Sequence, residues 1–287
     1  MNALLRERQK NSCRSREEAE KGAVVPKDPP PHVGGYGVLK HPLRVTGRLL
    51  WLGGELFLAA LNYGIQRAFC PRESLPSMRA AWLQISSRRV LWIFRIETQV
   101  VGDIPSSGLL VCNHLSYLDI LVLAALAPCV FVAKSEVKRW PVFGWFAKLA
   151  GTVFVHREQR TQAGHTVTEI ETVLQTDSLV VLFPEGTSSD GHTVLPFKSS
   201  LLEPAARQTH PLSAGLIQYA LSDGDVGEEV CYWKDMTLVP HLINLCSKKA
   251  VQASVRFKQL REGNADRKQL ARQLHAEVLR MKHAFAI

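Results

Sequence analysis

The feature that most constrains the fold of this chain is an uninterrupted apolar run, Ser178-Leu179-Val180-Val181-Leu182-Phe183. A strand that is apolar on both sides belongs inside a parallel sheet that helices cover on both faces. From Glu97 onward, short apolar runs alternate with helical patterns such as Thr161 to Thr176, whose apolar residues fall on one face. This alternation predicts an α/β domain over residues 97–287, with a layered central β-sheet flanked by helices.

The N-terminal part of the chain has a different composition. Residues 1–45 are polar, contain a proline cluster and predict a flexible leader, while residues 46–96 predict a membrane-associating region of amphipathic helices. Its first segment, residues 48–68, is nearly long enough to span a bilayer but carries a glutamate, an asparagine and three glycines. Its second segment, residues 78–96, mixes tryptophan with arginine, which is costly at mid-bilayer and typical of a helix among lipid headgroups. The alternative to membrane association is that both segments form ordinary core helices.

The charge of the chain points to an acidic partner. The net charge is +9 and the pI about 9.4, which favours anionic lipid headgroups or a phosphorylated substrate. The sequence has no zinc-finger spacing and no nucleic-acid fold signature, so we expect no nucleic-acid partner. The six cysteines form no CxxC pair and predict a reducing compartment. We expect no metal, because no set of His, Cys and carboxylates has metal spacing, and the polar stretch Met1 to Lys10 predicts no signal peptide.

The segment Asn113-His114-Leu115-Ser116-Tyr117-Leu118-Asp119 joins a predicted strand, Leu109 to Cys112, to a predicted helix, Ile120 to Leu126. Five residues of regular helix turn by roughly 500°, which puts two side chains about 140° apart. His114 and Asp119 can therefore meet only if His114 lies in the turn before the helix. A strand-turn-helix corner permits this and exposes the imidazole at the end of a sheet, where ligands bind. The alternative is an ordinary helix N-terminus with a capping residue.

Three further segments carry polar residues next to predicted strands. Glu185 lies in a Pro-Glu-Gly turn after the apolar run, and such a turn could hold a phosphate or an acceptor hydroxyl. Arg157 closes another strand, and arginine suits bidentate phosphate recognition. Lys198 follows Leu195-Pro196-Phe197 and could approach the same site. The alternative for Glu185 is a proline-glycine surface turn, and the alternative for the basic residues is a solvated surface charge.

A histidine paired with a carboxylate beside an anion site fits general-base catalysis on a hydroxyl. The carboxylate of Asp119 would fix the tautomer of His114 and stabilise its imidazolium form. The chain has no Gly-x-Ser-x-Gly elbow, and no serine or cysteine nucleophile is clearly paired with His114. The nucleophile could then be the hydroxyl of the substrate itself.

Three blocks of this sequence resemble a known family. Asn113-His114-(four residues)-Asp119, Gly151-x-x-Phe154-x-x-Arg157 and Phe183-Pro184-Glu185-Gly186-Thr187 resemble, in order and spacing, three motifs of the lysophosphatidic acid acyltransferase family, the first being its HX4D motif. The resemblance implies that His114 is the general base and Asp119 its orienting partner. The residues implied to bind the acceptor and its phosphate are Asn113, Arg157, Glu185, Gly186 and Thr187.

One position departs from the family pattern. The third block of the family usually continues with arginine, whereas position 188 is serine, so one cation near the phosphate of the acceptor is missing. Lys198 is the candidate substitute. The continuation Ser188-Ser189-Asp190-Gly191 and the segment Tyr232 to Met236 resemble bacterial branches that include lyso-ornithine lipid acyltransferases.

We therefore expect a membrane-associated O-acyltransferase. It would move a fatty acyl group from an acyl thioester, acyl-CoA or acyl carrier protein, to the free hydroxyl of a lysolipid, with no other cofactor. The expected acceptor is 1-acylglycerol-3-phosphate, giving phosphatidic acid, and the alternative is a lyso-ornithine lipid or another lysophospholipid. The expected location is the cytoplasmic face of the cell membrane, as a peripheral or single-span protein among membrane lipids. A non-catalytic lipid-binding protein and a hydrolase that uses water are the alternatives from other classes.

Overall fold

The computed structural model describes residues 41–155, 163–203, 206, 210–260 and 266–284, which all fall in one compact unit, Leu39–Ile287. Most of the predicted leader, and Arg157, lie outside the described residues. The helices and strands follow one another in this order: α1 (Pro42–Phe69), α2 (Leu75–Phe94), β1 (Ile96–Val101), β2 (Gly108–Cys112), α3 (Leu118–Leu126), β3 (Cys129–Lys134), a 3-10 helix (Ser135–Arg139), α4 (Phe143–Leu149), β4 (Val153–Val155), α5 (Ala163–Leu174), β5 (Leu179–Leu182), a second 3-10 helix (Ser199–Leu202), β6 (Leu212–Ala220), α6 (Val226–Glu229), α7 (Leu238–Ser247), β7 (Val251–Leu260) and α8 (Arg267–His283).

The strands form one seven-stranded sheet in the order β1-β7-β6-β2-β5-β3-β4. Neighbouring strands are parallel except for the antiparallel pair β6 and β7. The apolar run that ends at Phe183 supplies β5, which lies between β2 and β3. The predicted α/β fold with a layered central sheet is therefore confirmed.

Side chains that alternate along the central strands feed two separate cores. On β2, Leu110 and Cys112 belong to the core beneath α1, α2, α3 and α7, whereas Leu109 and Val111 belong to the core beneath α5 and α8. Successive residues of a strand point to opposite faces, so a strand that is buried on both sides needs apolar residues throughout. This requirement explains why β2 and β5, in the middle of the sheet, carry no charged or amide side chain.

The first N-terminal helix is tied to the domain by its polar residues. It begins at Pro42, so residues 42–45, assigned to the leader from sequence, are helical. Arg44 and Arg48 donate hydrogen bonds to main-chain carbonyls at the end of α7, where helical carbonyls lack partners within the helix. No described helix is both long and apolar enough to cross a membrane.

Three arginines of α2 make hydrogen bonds or an ion pair with neighbouring protein groups. Arg79 Nε donates to the hydroxyl of Tyr63 (3.2 Å), and Arg88 Nε donates to a carbonyl at the end of α3 (2.8 Å). Arg89 pairs with Glu55 of α1 over 3.3 Å. These contacts attach α2 both to α1 and to the sheet domain.

The apolar segment Val230-Cys231-Tyr232-Trp233 runs as an irregular loop between α6 and α7. The N–H of Tyr232 donates to the carbonyl of Leu115 over 2.8 Å, so the loop lies beside the turn that carries His114. Apolar residues are needed here because the loop packs on the core, not because it joins the sheet.

Candidate active site

His114 and Asp119 meet in the turn between β2 and α3. The histidine follows the end of β2 and α3 begins at Leu118, so His114 lies outside the helix. His114 Nδ1 is 2.8 Å from Asp119 Oδ2. The same oxygen accepts the backbone N–H groups of Leu115 (2.6 Å) and Ser116 (3.0 Å). These bonds wrap the turn around one carboxylate oxygen and so bring together two side chains that a regular helix would separate.

Asp119 is fully buried, and protein groups replace its lost hydration. Tyr219 of β6 donates its hydroxyl to Asp119 Oδ1 over 2.7 Å, on the oxygen that His114 does not use. Burial, followed by the charge of Asp119, raises the pKa of Tyr219 far above its ordinary value, so the hydroxyl stays a donor. The sequence motifs around His114 do not include Tyr219. The available signal was a tyrosine in a buried strand, since a buried tyrosine hydroxyl usually has a partner.

The second ring nitrogen of His114 faces a cavity. A carboxylate can only accept, so in the neutral imidazole the proton lies on Nδ1 and Nε2 keeps its lone pair. Within the described part of the chain, Nε2 has no hydrogen-bond partner, and the histidine lines the cavity with its side chain 22% exposed. The ring stacks on Phe183, with centroids 4.3 Å apart. The stacking and the Asp119 bond together fix the direction of the lone pair.

Glu185 lies beside the histidine backbone, away from the cavity. Val111 of β2 and Leu182 of β5 are paired in the parallel register, so the two turns that follow these strands are neighbours. Glu185 Oε1 accepts the backbone N–H of His114 over 3.2 Å, and the carboxyl is buried. Burial raises the pKa of Glu185 to about 8, and Oε2 has no partner among the described residues. In this position Glu185 orients the histidine turn, and it is not among the residues that line the cavity.

Of the other residues predicted to bind substrate, some line the cavity and some do not. Asn113 Nδ2 donates to the carbonyl of Ile217 over 3.0 Å and its Oδ1 accepts the Ile217 N–H over 2.8 Å, which extends the pairing of β2 with β6. The side chain of Lys198 is exposed and does not line the cavity. Gly186 and Thr187 do line it, next to His114. The structure therefore brings Gly186 and Thr187 to the histidine and leaves Asn113 and Lys198 outside the cavity.

A cavity of about 440 Å³ extends from His114 into the apolar core. Most of its wall is apolar and comes from α1, α2, α3, β3 and α4. The residues of this apolar wall include Leu52, Leu56, Ala59, Leu83, Val90, Ile120, Leu121, Phe131, Phe143, Phe146, Ala147 and Ala150. Polar residues contribute both at the histidine end, through the turn from Gly186 to Ser188, and on α1 and α2, through Glu55, Ser86 and Ser87. The cavity therefore joins the histidine to a largely apolar interior.

The loop after α6 covers the histidine end of the cavity. Tyr232, Trp233 and Lys234 line it, and the hydroxyl of Ser188 donates to the carbonyl of Tyr232. His241 is fully buried beneath this loop, and burial lowers its pKa to about 4. Its Nε2 faces the Cys231 carbonyl, at 3.1 Å, and so carries the proton, leaving Nδ1 to accept from the hydroxyl of Tyr117. Within the described ranges, no three His, Cys, Asp or Glu residues are grouped so as to hold a metal ion.

Comparisons match this chain to known sequences. The family model described as Acyltransferase matches residues 96–241. A lyso-ornithine lipid O-acyltransferase of Rhizobium meliloti (strain 1021) is 35% identical over 225 residues, which cover 70% of this chain and 77% of that protein. A 1-acyl-sn-glycerol-3-phosphate acyltransferase of Neisseria gonorrhoeae is 32% identical over 165 residues, which cover 53% of this chain and 65% of that protein.

A solved structure shares the fold. The crystal structure of the 1-acyl-sn-glycerophosphate (LPA) acyltransferase from Thermotoga maritima matches with a TM-score of 0.56, covering 83% of this chain and 98% of that one. The two sequences are 20% identical over the match, so this likeness concerns the fold alone.

Proposed function

The chain belongs to the acyltransferase family of lysophosphatidic acid acyltransferases and their relatives, and we propose that it transfers a fatty acyl group from an acyl thioester to the free hydroxyl of a lysolipid. The single observation that carries this proposal is the geometry of His114. Its Nδ1 is held by Asp119 at 2.8 Å while its Nε2 faces a largely apolar cavity. Acyl transfer to a hydroxyl needs a positioned base, and the largely apolar cavity beside it offers room for an acyl chain.

In the proposed reaction, His114 Nε2 takes the proton of the acceptor hydroxyl as the oxygen attacks the thioester carbonyl carbon. The imidazolium that forms is stabilised by Asp119, which already receives Nδ1–H. The carbon–sulfur bond then breaks, and the leaving sulfur takes the proton from Nε2. The products are an ester and a free thiol, and no acyl group is attached to the protein at any stage.

We propose that the apolar interior of the cavity holds the acyl chain of the donor. Each buried methylene gains about 0.8 kcal/mol, so a long chain in this cavity would be held firmly while its thioester stays near His114. The apolar residues at positions 52, 56, 83 and 146 support this assignment. The donor is acyl-CoA or an acyl carrier protein, used as a co-substrate, and no further cofactor is part of the proposal.

Two acceptors fit the proposal, and we place a lyso-ornithine lipid first and 1-acylglycerol-3-phosphate second. Relatives named for lyso-ornithine lipid are 35% and 38% identical and cover 70% and 66% of this chain. The relative from Neisseria gonorrhoeae named for 1-acyl-sn-glycerol-3-phosphate covers 53%. Ser188 also favours this order, because it replaces the arginine that the phosphate-specific pattern carries and its hydroxyl is bonded to the loop.

We propose that the protein works at the cytoplasmic face of the membrane as a peripheral protein. A lysolipid acceptor is a membrane component, and α1 exposes one continuous apolar face. The exposed large residues of α1, here called its outer face, are Leu43, Leu50, Trp51, Phe57, Leu58, Leu61, Ile65 and Phe69. Exposed apolar surface of this extent marks an interaction site, and a helix of this kind lies in the plane of the lipid interface.

The test is a panel of acceptors with one labelled acyl thioester. Purified protein is incubated with the thioester and, separately, with a lyso-ornithine lipid, 1-acylglycerol-3-phosphate, other lysophospholipids or no acceptor. We expect labelled ester with a lysolipid and little thiol release without one. Thiol release at the same rate in the absence of any acceptor would identify a hydrolase and contradict the proposal.

A further inference from the structure

Residues 135–148, here called the rim segment, expose apolar and basic side chains next to the cavity. Trp145 is 50% exposed and Val142 is 51% exposed. Large apolar residues that remain exposed together on a folded protein mark a surface that something covers. Both residues lie outside the outer face of α1 and belong to a separate part of the chain.

The rim segment is also positively charged. It contains Lys138, Arg139 and Lys148 against the single carboxylate of Glu136, and all three cations are exposed. Lys138 Nζ lies over the ring of Phe154 at 4.7 Å, which leaves the ammonium at the surface. Tryptophan combined with lysine and arginine is the composition of segments that lie at the lipid interface, with rings among the acyl chains and cations among the phosphates.

The backbone of the rim segment holds Val142 outward in an uncommon conformation. Val142 has φ 60° and ψ −60°, and the N–H of Phe143 bonds to the carbonyl of Pro141, which forms a tight γ-turn. A β-branched residue rarely adopts positive φ. Such conformations persist where the surrounding structure enforces them, and they cluster at ligand-binding surfaces.

The rim segment is continuous with the cavity and adjoins α1. Trp140, Val142 and Phe146 line the cavity, so an exposed apolar side leads directly into its interior. Phe146 stacks on Trp82 (5.7 Å between centroids), and Trp82 in turn contacts Tyr63 of α1 (5.1 Å). The rim segment and α1 therefore contribute to the same apolar surroundings of the cavity.

We propose that the rim segment docks on an anionic lipid bilayer, as a second membrane contact beside the outer face of α1. Trp145 and Val142 enter the interface while Lys138, Arg139 and Lys148 pair with lipid phosphates. An acyl chain can then pass from the bilayer past Trp140 into the cavity without crossing water. This inference rests on the proposed function for its purpose, but its evidence is the charge and exposure of the rim segment.

The test is co-sedimentation of the full chain with vesicles of phosphatidylcholine alone or mixed with phosphatidylglycerol. Each cation near an anionic surface is worth about 1 kcal/mol, so the double variant Lys138→Glu/Arg139→Glu should lose about 30-fold or more in affinity for the anionic vesicles. Lys148→Glu should lose about fivefold, and Trp145→Ala should weaken binding to both kinds of vesicle. The matched control is Lys268→Glu/Arg272→Glu on α8, across the sheet, which should bind as the wild type does.

Salt gives a second measurement that needs no variant. Raising ionic strength from about 0.1 M to about 1 M shortens the Debye length from about 10 Å to about 3 Å, so binding of the wild type to anionic vesicles should weaken strongly. Equal binding of the wild type, the double variant and Lys148→Glu to anionic vesicles would overturn the inference. A protein partner that binds at Trp145 and displaces the chain from vesicles would overturn it as well.

Acyl transfer to an acceptor in detergent micelles separates this inference from the proposed function. The rim residues that are changed do not line the cavity. We therefore expect the variants to keep the wild-type rate in micelles while losing vesicle binding. A wild type that binds vesicles through the rim segment but transfers no acyl group would contradict the proposed function alone, and failure of the rim variants to lose vesicle binding would contradict this inference alone.

Discussion

Tyr219 and Asp119 are 100 residues apart in sequence, yet the tyrosine hydroxyl donates a 2.7 Å hydrogen bond to the carboxylate that holds His114. Tyr219 lies on β6, and the turn that carries His114 follows the neighbouring strand β2. The parallel pairing of these strands thus delivers a donor to the carboxylate oxygen that the histidine leaves free. The sheet itself completes the hydrogen bonding of a buried aspartate.

Tyr219→Phe should weaken both stability and catalysis. The variant removes one bond from a buried carboxylate, so we expect a loss of about 1–3 kcal/mol in unfolding free energy. The carboxylate also becomes freer to turn, and we expect kcat to fall by about tenfold. Urea denaturation and steady-state acyl transfer measure the two effects. Tyr63→Phe is the matched control, because it removes a hydrogen bond to Arg79 away from His114 and should leave kcat unchanged.

Asp119→Asn should lower kcat by about 100-fold or more while leaving the apolar cavity intact. An amide can present its NH₂ group to Nδ1, which would favour the proton on Nε2 and remove the lone pair from the cavity. The measurement is kcat and KM for the thioester, with Asp103→Asn as an exposed control. A variant that retained wild-type kcat would show that the tautomer of His114 is immaterial.

Glu185 should make the stability of the protein depend on pH. Burial raises its pKa from 4.5 to about 8, so the folded state binds this proton more tightly than the unfolded state does. The stabilising effect is complete below the unfolded pKa and is lost as pH rises through the folded pKa. Between about pH 5 and pH 8 the wild type should therefore lose up to about 1.4 kcal/mol per pH unit relative to Glu185→Gln.

The measurement is the difference in unfolding free energy between the wild type and Glu185→Gln across this pH range. The exposed Glu73→Gln serves as the control and should follow the wild type. Parallel stability profiles for the wild type and Glu185→Gln would mean that the carboxyl does not hold a proton in the folded protein.

Ala147→Leu should shift the preference of the enzyme toward shorter acyl chains. Ala147 lines the apolar cavity, and the added carbon atoms take volume that a chain would otherwise fill. Each methylene that loses its place costs about 0.8 kcal/mol, or roughly fourfold in kcat/KM. The measurement is kcat/KM for a series of acyl thioesters, with Ala276→Leu on α8 as the control. An unchanged chain-length profile would mean that the acyl chain lies elsewhere.

Much of the fold follows from local patterns. The apolar run before Phe183 predicts a strand buried on both faces, and the structure places it in the middle of the sheet. Spacing also sets the condition under which His114 and Asp119 can meet, namely that His114 lies in the turn before the helix, and the structure meets that condition. These features depend on neighbours in the chain, which a sequence displays directly.

Other parts of the site depend on which strands become neighbours. The pairing of Asn113 with Ile217 uses the amide nitrogen and the amide oxygen of a side chain that the resemblance implies binds substrate. Glu185 turns toward the backbone of His114 because β2 and β5 are paired in register. Arg88 reaches a carbonyl at the end of α3 because α2 packs against α3. A sequence does not display strand order or helix packing, so these partners could not be predicted.

The rate of acyl transfer by His114→Ala, compared with the wild type at saturating lysolipid and thioester, tests the central claim most directly. The exposed His192→Ala is the control for loss of a histidine, and the melting temperature of each variant checks folding. With His114 as the general base, the rate should fall by about 100-fold or more while His192→Ala keeps the wild-type rate. Full activity in folded His114→Ala would contradict the account.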